Sequence, residues 1–231
     1  MDRVAHYAEF YGSEELRQWP RLGARQKADN LRQTCRQIVE QPAVVEIGCG
    51  DGALLAELEG FARRIAGYDV SPSGIAEAKR LLPDAQLGVC DGAALPEKDS
   101  SFDLAVLSHV LEHVDDPRSL LREAARVAPL VYVEVPLELH ARTPHDFRWT
   151  RMGHINLFNR TVLRHLVESV GLAIVRERVT GNERAIEQFV RPGLRGIVRW
   201  AIKATALRAS VRLATGVFTY HGAVLASRSQ I

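Results

Sequence analysis

Apolar and polar positions divide this chain into short apolar runs separated by stretches of helical period. Residues 44–47, 65–69, 86–92, 102–108, 130–135, 172–180 and 217–226 each read as a strand. The run 102–108 is nearly continuous in apolar character, as a strand covered on both faces is. Between the strands, 53–61, 73–82, 117–128 and 161–170 repeat apolar residues at helical spacing, the last stopped by Gly171. This alternation predicts an α/β, Rossmann-like doubly wound sheet of seven strands, mostly parallel, with helices on both faces. Residues 1–42 predict a helical cap, broken at Pro20, with a second helix from 22 to 40 ended by Pro42. That cap either pads the sheet edge or contributes Tyr7, Tyr11 and Trp19 to a lid.

The first strand runs into the stretch Glu46-Ile47-Gly48-Cys49-Gly50-Asp51-Gly52, with glycines at alternate positions and a helix beginning at Ala53. Glycines let backbone approach a ligand with no Cβ in the way, and the helix start offers free N–H groups. A turn of this kind at the end of a first parallel strand is where open α/β sheets take nucleotide-like molecules. Gly48, Gly50 and Ala53 also satisfy the G-x-G-x-x-[G/A] spacing of dinucleotide-binding turns. Asp69, 21 residues beyond Gly48 and at the end of the second strand, suits the two hydroxyls of a ribose. Its alternative role as a helix cap is better filled by Ser71 or Ser73. Asp91-Gly92 closes the third strand, where an acid can accept from an exocyclic amine such as that of adenine. No second nucleotide-binding half follows, which counts against a dehydrogenase.

Composition narrows the class. At 231 residues and 46% hydrophobic, the chain has enough apolar material for one sizeable core. The net charge of +2 is too small to imply a nucleic-acid partner. Cys35, Cys49 and Cys90 form no disulfide framework, and the first residues lack the apolar run of a signal peptide, so the expected setting is reducing and cytoplasmic. No run approaches the roughly 18 apolar residues of a spanning helix.

The residues 46–52, Asp69, Asp91-Gly92 and the run from Phe102 to Pro117 that contains Ser108-His109-Val110-Leu111-Glu112-His113 resemble the class I S-adenosylmethionine-dependent methyltransferases, in their small-molecule and glycan-modifying branch. The resemblance covers 43 to about 180, and only weakly the remainder. It implies a last strand running antiparallel; the expected domain is residues 43–231, with a helical basic insertion at 181–216 that is unusual for the family. It implies that S-adenosylmethionine is the cofactor. Gly48, Cys49, Gly50, Asp51 and Gly52 would pass under its methionine part and Glu46 would fix the amino end. Asp69 with Val70 would hold the ribose, Asp91 with Gly92 the adenine, and Ser108 would lie beside the sulfonium.

Methyl transfer from a sulfonium needs positioning in a dry site, and a hydroxyl acceptor also needs a base, for which histidine is suited near neutral pH. Five histidines fall where an acceptor belongs: His109, His113, His140, His145 and His154. His109, His113 and His154 are the expected catalytic residues. The set His109-x-x-Glu112-His113 is close to the E-x-x-E-H pattern by which some relatives bind a divalent metal, but an acid is replaced by His109, and no metal is expected. The long 137–160 connection is the expected acceptor site, with Arg142, Arg148 and Arg151 available to an anionic group. His154 and Phe158 match a His-x-x-x-Phe seen in related enzymes.

Residues 191–215 contain no acid, and Arg191, Arg195, Arg199 and Lys203 recur every four residues. A basic amphipathic helix at 191–213 fits an anionic membrane surface, a lid, a dimer contact or an ordinary solvated face. The expectation is an O-methyltransferase of a small molecule or glycan hydroxyl, monomeric or homodimeric, with no nucleic-acid partner. Competing readings are N- or C-methylation, a cofactor-binding protein without turnover, and a nicotinamide-dependent oxidoreductase.

Overall fold

The computed structural model describes residues 14–147 and 153–228, with side chains from residue 23 onward. Tyr7, Tyr11, Arg148, Arg151 and the side chain of Trp19 lie outside the described set.

The chain runs α1 (Glu14–Cys35), β1 (Ala43–Ile47), α2 (Ala53–Glu57), β2 (Arg64–Asp69), α3 (Pro72–Leu81), β3 (Gln86–Val89) and β4 (Leu104–Ser108). It continues through α4 (Pro117–Val127), β5 (Leu130–Pro136), α5 (Arg160–Glu168), β6 (Leu172–Thr180), α6 (Arg184–Val190), α7 (Leu194–Ala209), α8 (Val211–Thr215) and β7 (His221–Arg228). The seven strands form one sheet in the order β3-β2-β1-β4-β5-β7-β6. The first five are parallel, and β7 runs antiparallel between β5 and β6. This is the sheet expected from the sequence.

Both faces of the sheet are covered. Leu107, Leu120, Leu121, Val131 and Leu163 belong to the core under α4 and α5, while Leu31, Leu54, Leu55, Val106 and Ile75 form the core under α1, α2 and α3. Helix starts follow from local chemistry: Ser71 Oγ accepts from the Gly74 N–H, Asp116 accepts from Arg118 and Ser119, and Asn159 accepts from Val162. Pro72 and Pro117 occupy first-turn positions that need no N–H partner.

Several boundaries differ from the sequence reading, β3 (Gln86–Val89) and β4 (Leu104–Ser108) being shorter than expected. Helix α1 passes through Pro20 and Gly23 without a break and ends at Cys35, well before residue 40. Beyond Cys35 the chain turns back with Gln37 at φ 64°, a left-handed conformation that stops the helix. Helix α2 is only five residues, and β7 starts at His221, not at 217. Register places His221 opposite both Pro136 of β5 and Thr180 of β6, at the carboxyl ends of the parallel strands. Neighbours β1 and β4 connect to opposite sides of the sheet, and a crevice opens above their ends.

Candidate active site

A cavity of about 590 Å³ occupies that crevice, within the range that holds small ligands. Its floor is the loop after β1, its sides are the ends of β2, β4 and β7, and α1, α6 and α7 reach over it.

The glycine loop is held from below. Gly48 N and Cys49 N both donate to Tyr68 O, and Gly50 N donates to Asp69 Oδ2 at 2.8 Å. A Cβ on Gly48, at φ 82°, would lie 2.4 Å from Val110, and a Cβ on Gly74 would press on Gly50 O. So at Gly48 the loop is seated on a neighbour that leaves no room for a side chain. Asp69 Oδ1 also accepts from Ser71 N, and each carboxylate oxygen keeps a lone pair free toward the cavity it lines. Burial raises the Asp69 pKa, while its two backbone donors pull it down.

Of the expected cofactor residues, Glu46, Gly48, Cys49, Gly50, Asp51, Asp69, Val70, Asp91 and Ser108 line the cavity. Gly52 and Gly92 stand behind the wall: their Cβ positions face Ala78, and Leu120 with Ile47. Each permits close helix packing. Four buried polar atoms of wall residues have no hydrogen-bond partner: Glu46 Oε2, Ser108 Oγ and both carboxyl oxygens of Glu112. Burial pushes the Glu46 carboxyl up to about 8, with Lys27 pulling the other way. An unsatisfied carboxyl oxygen next to a bare backbone loop is what an ammonium-bearing amino-acid group requires. S-adenosylmethionine has that group, so the residues present fit the expected cofactor. Lys27, from α1, also lines the cavity; in the sequence it was one basic residue of a helix among several.

Four histidines, His109, His113, His154 and His221, line the same cavity. His109, at the strained φ of 59°, donates its N–H to Glu134 O and follows directly on β4. Asn156 clamps the 137–159 connection onto this turn, its Nδ2 donating to Leu111 O and Val114 O, while Ile155 N and Asn156 N donate to Glu112 O. The clamp sets His154 edge-on to His113, ring centroids 4.8 Å apart. His154 Nδ1 lies 2.6 Å from Glu138 Oε2, and His113 Nδ1 lies 3.3 Å from Gly153 O. Burial would lower the His154 pKa, but the bond to Glu138 and its charge override that and raise it. Burial lowers the pKa of His109, His113 and His221.

His140 and His145 do not border the cavity; His140 instead contacts Thr219 Oγ1 at 3.2 Å. Arg142 is exposed in the same connection. His221 does border it, with Nδ1 3.2 Å from His109 Nε2 and Nε2 2.6 Å from Asn182 Oδ1. Among the described residues, two donor groups each lie within 4.8 Å of one another: His109, Glu134 and His221, and Glu112, His113 and His154.

Helices α6 and α7 supply the remaining wall. Glu187 of α6 accepts from Lys203 Nζ at 2.5 Å and pairs with Arg199 Nε at 3.3 Å. The basic stripe is therefore divided: Arg199 and Lys203 turn in toward Glu187, while Leu194, Val198 and Ile202 are exposed. The helix places its cations where their acid partner is, because a buried carboxylate demands compensation. No helix among the described residues is long and apolar enough to cross a membrane.

Comparison with known proteins agrees with this architecture. A family model described as a methyltransferase domain matches residues 8–177. Norajmaline N-methyltransferase of Rauvolfia serpentina is 34% identical over 92 residues, 37% of this chain and 32% of the relative. Ubiquinone biosynthesis O-methyltransferase of Coxiella burnetii is 33% identical over 86 residues, 36% of this chain and 37% of the relative. The chain thus spans about a third of the length of these curated relatives. The geranyl diphosphate C-methyltransferase of Streptomyces coelicolor, solved with Mg2+, geranyl diphosphate and S-adenosyl-L-homocysteine, superposes with a TM-score of 0.64 at 13% identity. That match covers 88% of this chain and 78% of the other. The glycine loop, the acids at the ends of β2 and β3, the seven-stranded sheet and the family match over most of its length together place this chain in the methyltransferase-domain family.

Proposed function

We propose that the protein is an S-adenosylmethionine-dependent methyltransferase that methylates a hydroxyl of a small molecule or glycan. The observation that carries this reading is the presence, in one cavity, of an orphaned Glu46 oxygen beside the glycine loop and of a His154–Glu138 pair.

The cofactor supplies an activated methyl group on a sulfonium. The loop 48–51 would lie under its amino-acid part, Glu46 and Lys27 would meet its ammonium and carboxylate, Asp69 the ribose, and Asp91 the adenine. His154 then has one defined role. With Nδ1 bonded to Glu138, Nε2 would be the ring atom that accepts the hydroxyl proton as the oxygen attacks. Glu138 stabilises the imidazolium so formed. The remaining acceleration comes from holding acceptor and methyl in line and excluding water, for which α6 and α7 close one side of the cavity. His109 is placed less well for this step, since Nε2 faces His221 and Nδ1 faces Glu112.

N- or C-methylation of a small metabolite is the second reading, supported by the N-methyltransferase among the sequence relatives. An amine already neutral would attack without the His154 base, whereas a carbon nucleophile would still have to give up a proton. Calorimetric titration with S-adenosylhomocysteine, repeated on Asp69→Ala, tests the cofactor. Binding in the micromolar range that the variant loses is expected; no binding by the wild type, with NAD(P)H bound instead, would sink the proposal.

A further inference from the structure

Helix α7 carries apolar side chains on two faces, and the fold covers one of them. On the inner face Ala206 and Leu207 pack against the main core, Lys203 is buried, and Lys203 O accepts from the Tyr220 hydroxyl. On the outer face Leu194, Val198 and Ile202, four residues apart, are 73%, 48% and 52% exposed. They form a stripe about 12 Å long at the helical rise of about 1.5 Å per residue. Ala201, Thr205 and Ala209 beside them are small and exposed. A helix with apolar side chains all round belongs between two apolar layers, and among the described residues only the inner layer is supplied. The concentration is local: of the fourteen large apolar side chains exposed among the described residues, seven lie between Val190 and Val217. A patch of that kind marks a contact with a partner or a membrane.

Charge says which. Residues 188–231 contain no aspartate or glutamate. Arg199 and Lys203 are engaged with Glu187, but Arg191, Arg195, Arg208 and Arg212 are exposed and make no ion pair among the described residues. Helical periodicity sets Arg195 on one flank of the apolar stripe and Arg208 on the other. Arginine stems can lie along apolar surface while their guanidinium groups meet anions at its edge. The stripe also starts at the rim of the cavity: Val190 and Arg191 border that cavity and lead through Pro192 and Gly193 into Leu194.

We propose that the outer face of α7 docks on an anionic lipid bilayer, with Leu194, Val198 and Ile202 at the boundary of headgroups and acyl chains and Arg195 and Arg208 on lipid phosphates. An apolar stripe with basic flanks is the pattern of a helix that lies in the plane of such an interface, where apolar burial and attraction to anionic lipid add. A second copy of this chain is a poorer occupant. A two-fold contact through this face would bring basic flanks together, with no acid on α7 or α8 to compensate them. Docking brings the cavity rim at Val190 and Arg191 to the lipid headgroups. The contact stands on the exposed face alone; what it delivers to the cavity rests on the methyltransferase reading.

The test floats the full chain with vesicles of phosphatidylcholine containing about 30% phosphatidylglycerol. Binding is expected, falling at least tenfold between about 0.05 and 0.5 M salt and at least tenfold weaker on phosphatidylcholine alone. L194S/V198S/I202S and R195E/R208E should each lose at least tenfold in vesicle affinity. K79E/R122E makes the same change of net charge at exposed positions of α3 and α4, and it should stay within about threefold of the wild type. Unchanged thermal denaturation of the variants, all altered at exposed positions, ties a loss to the face and not to the fold. Vesicle binding by the wild type supports the proposal whether or not S-adenosylhomocysteine binds, so its failure and that of the cofactor reading are told apart. Three results overturn it: no flotation with the anionic vesicles, equal losses in R195E/R208E and K79E/R122E, or a dimer in sedimentation velocity that L194S/V198S/I202S dissociates.

Discussion

Nδ1 of His154 lies 2.6 Å from Oε2 of Glu138, and this one contact separates His154 from the other cavity histidines. His109, His113 and His221 are driven toward the neutral form by burial, whereas Glu138 overcomes burial at His154 and raises its pKa. A base of this kind acts above its pKa. With a hydroxyl acceptor, His154→Ala is expected to lower kcat by about 10²–10⁴ while leaving S-adenosylhomocysteine affinity unchanged in calorimetry. Glu138→Gln removes the raising partner, so the acidic limb of the rate profile should move to lower pH. An unmoved limb would remove His154 from the mechanism.

Glu46 links cofactor binding to pH. Burial pushes its pKa up to about 8 from 4.5, so at neutral pH the free protein carries the proton and an arriving ammonium must expel it. Affinity for S-adenosylhomocysteine should rise between pH 6 and 8, by up to about tenfold per unit, with proton release visible in buffers of different ionisation enthalpy. Glu46→Gln should flatten that dependence. The same shift acts on folding: a carboxyl raised in the fold contributes stability in full below its unfolded pKa and loses it as pH rises through about 8. Urea denaturation should therefore show Glu46→Gln gaining on the wild type across that window.

Gly48 tests the seat of the loop. Its added Cβ would stand 2.4 Å from Val110 Cγ2 at φ 82°, combining strain with overpacking. Gly48→Ala should cost about 2–4 kcal/mol in urea denaturation. Gly60→Ala is the control, because Gly60 has φ 78° with nothing within 4 Å of the added atom. Only the backbone cost, about 1–2 kcal/mol, should remain there. Equal losses in the two variants would mean that Val110 yields.

Lys203 and Glu187 are both nearly buried, with side chains 6% and 4% exposed. Removing one partner of such a pair leaves a charge without compensation, a loss of about 3–5 kcal/mol. Lys203→Met is expected near the lower end, because Arg199 and Asn182 still contact Glu187. The double variant Glu187→Gln, Lys203→Met should recover part of the loss in thermal denaturation. Additive losses would show that the pair is not coupled.

The strands, the glycine loop and the acids after β2 and β3 were legible in the sequence because each is a local property. Apolar runs mark β1, β4 and β5, alternate glycines mark a turn, and an acid at a strand end marks a rim. By itself, the sequence therefore determined the doubly wound sheet and the loop side of the cavity. It also singled out His109, Glu112, His113 and His154, which line that cavity, without saying which way any of them points. Only the tertiary structure decided that. His109 meets His221 across 112 residues, and Asn30 meets Glu134 across 104; no spacing rule relates such positions. The sequence left the use of the 191–213 stripe open for the same reason: whether Arg199 and Lys203 face water or Glu187 depends on where α6 lies against α7. Periodicity reports which face of an element is apolar, but side-chain directions, tautomers and buried charge pairs are set by neighbours that only the folded chain brings together.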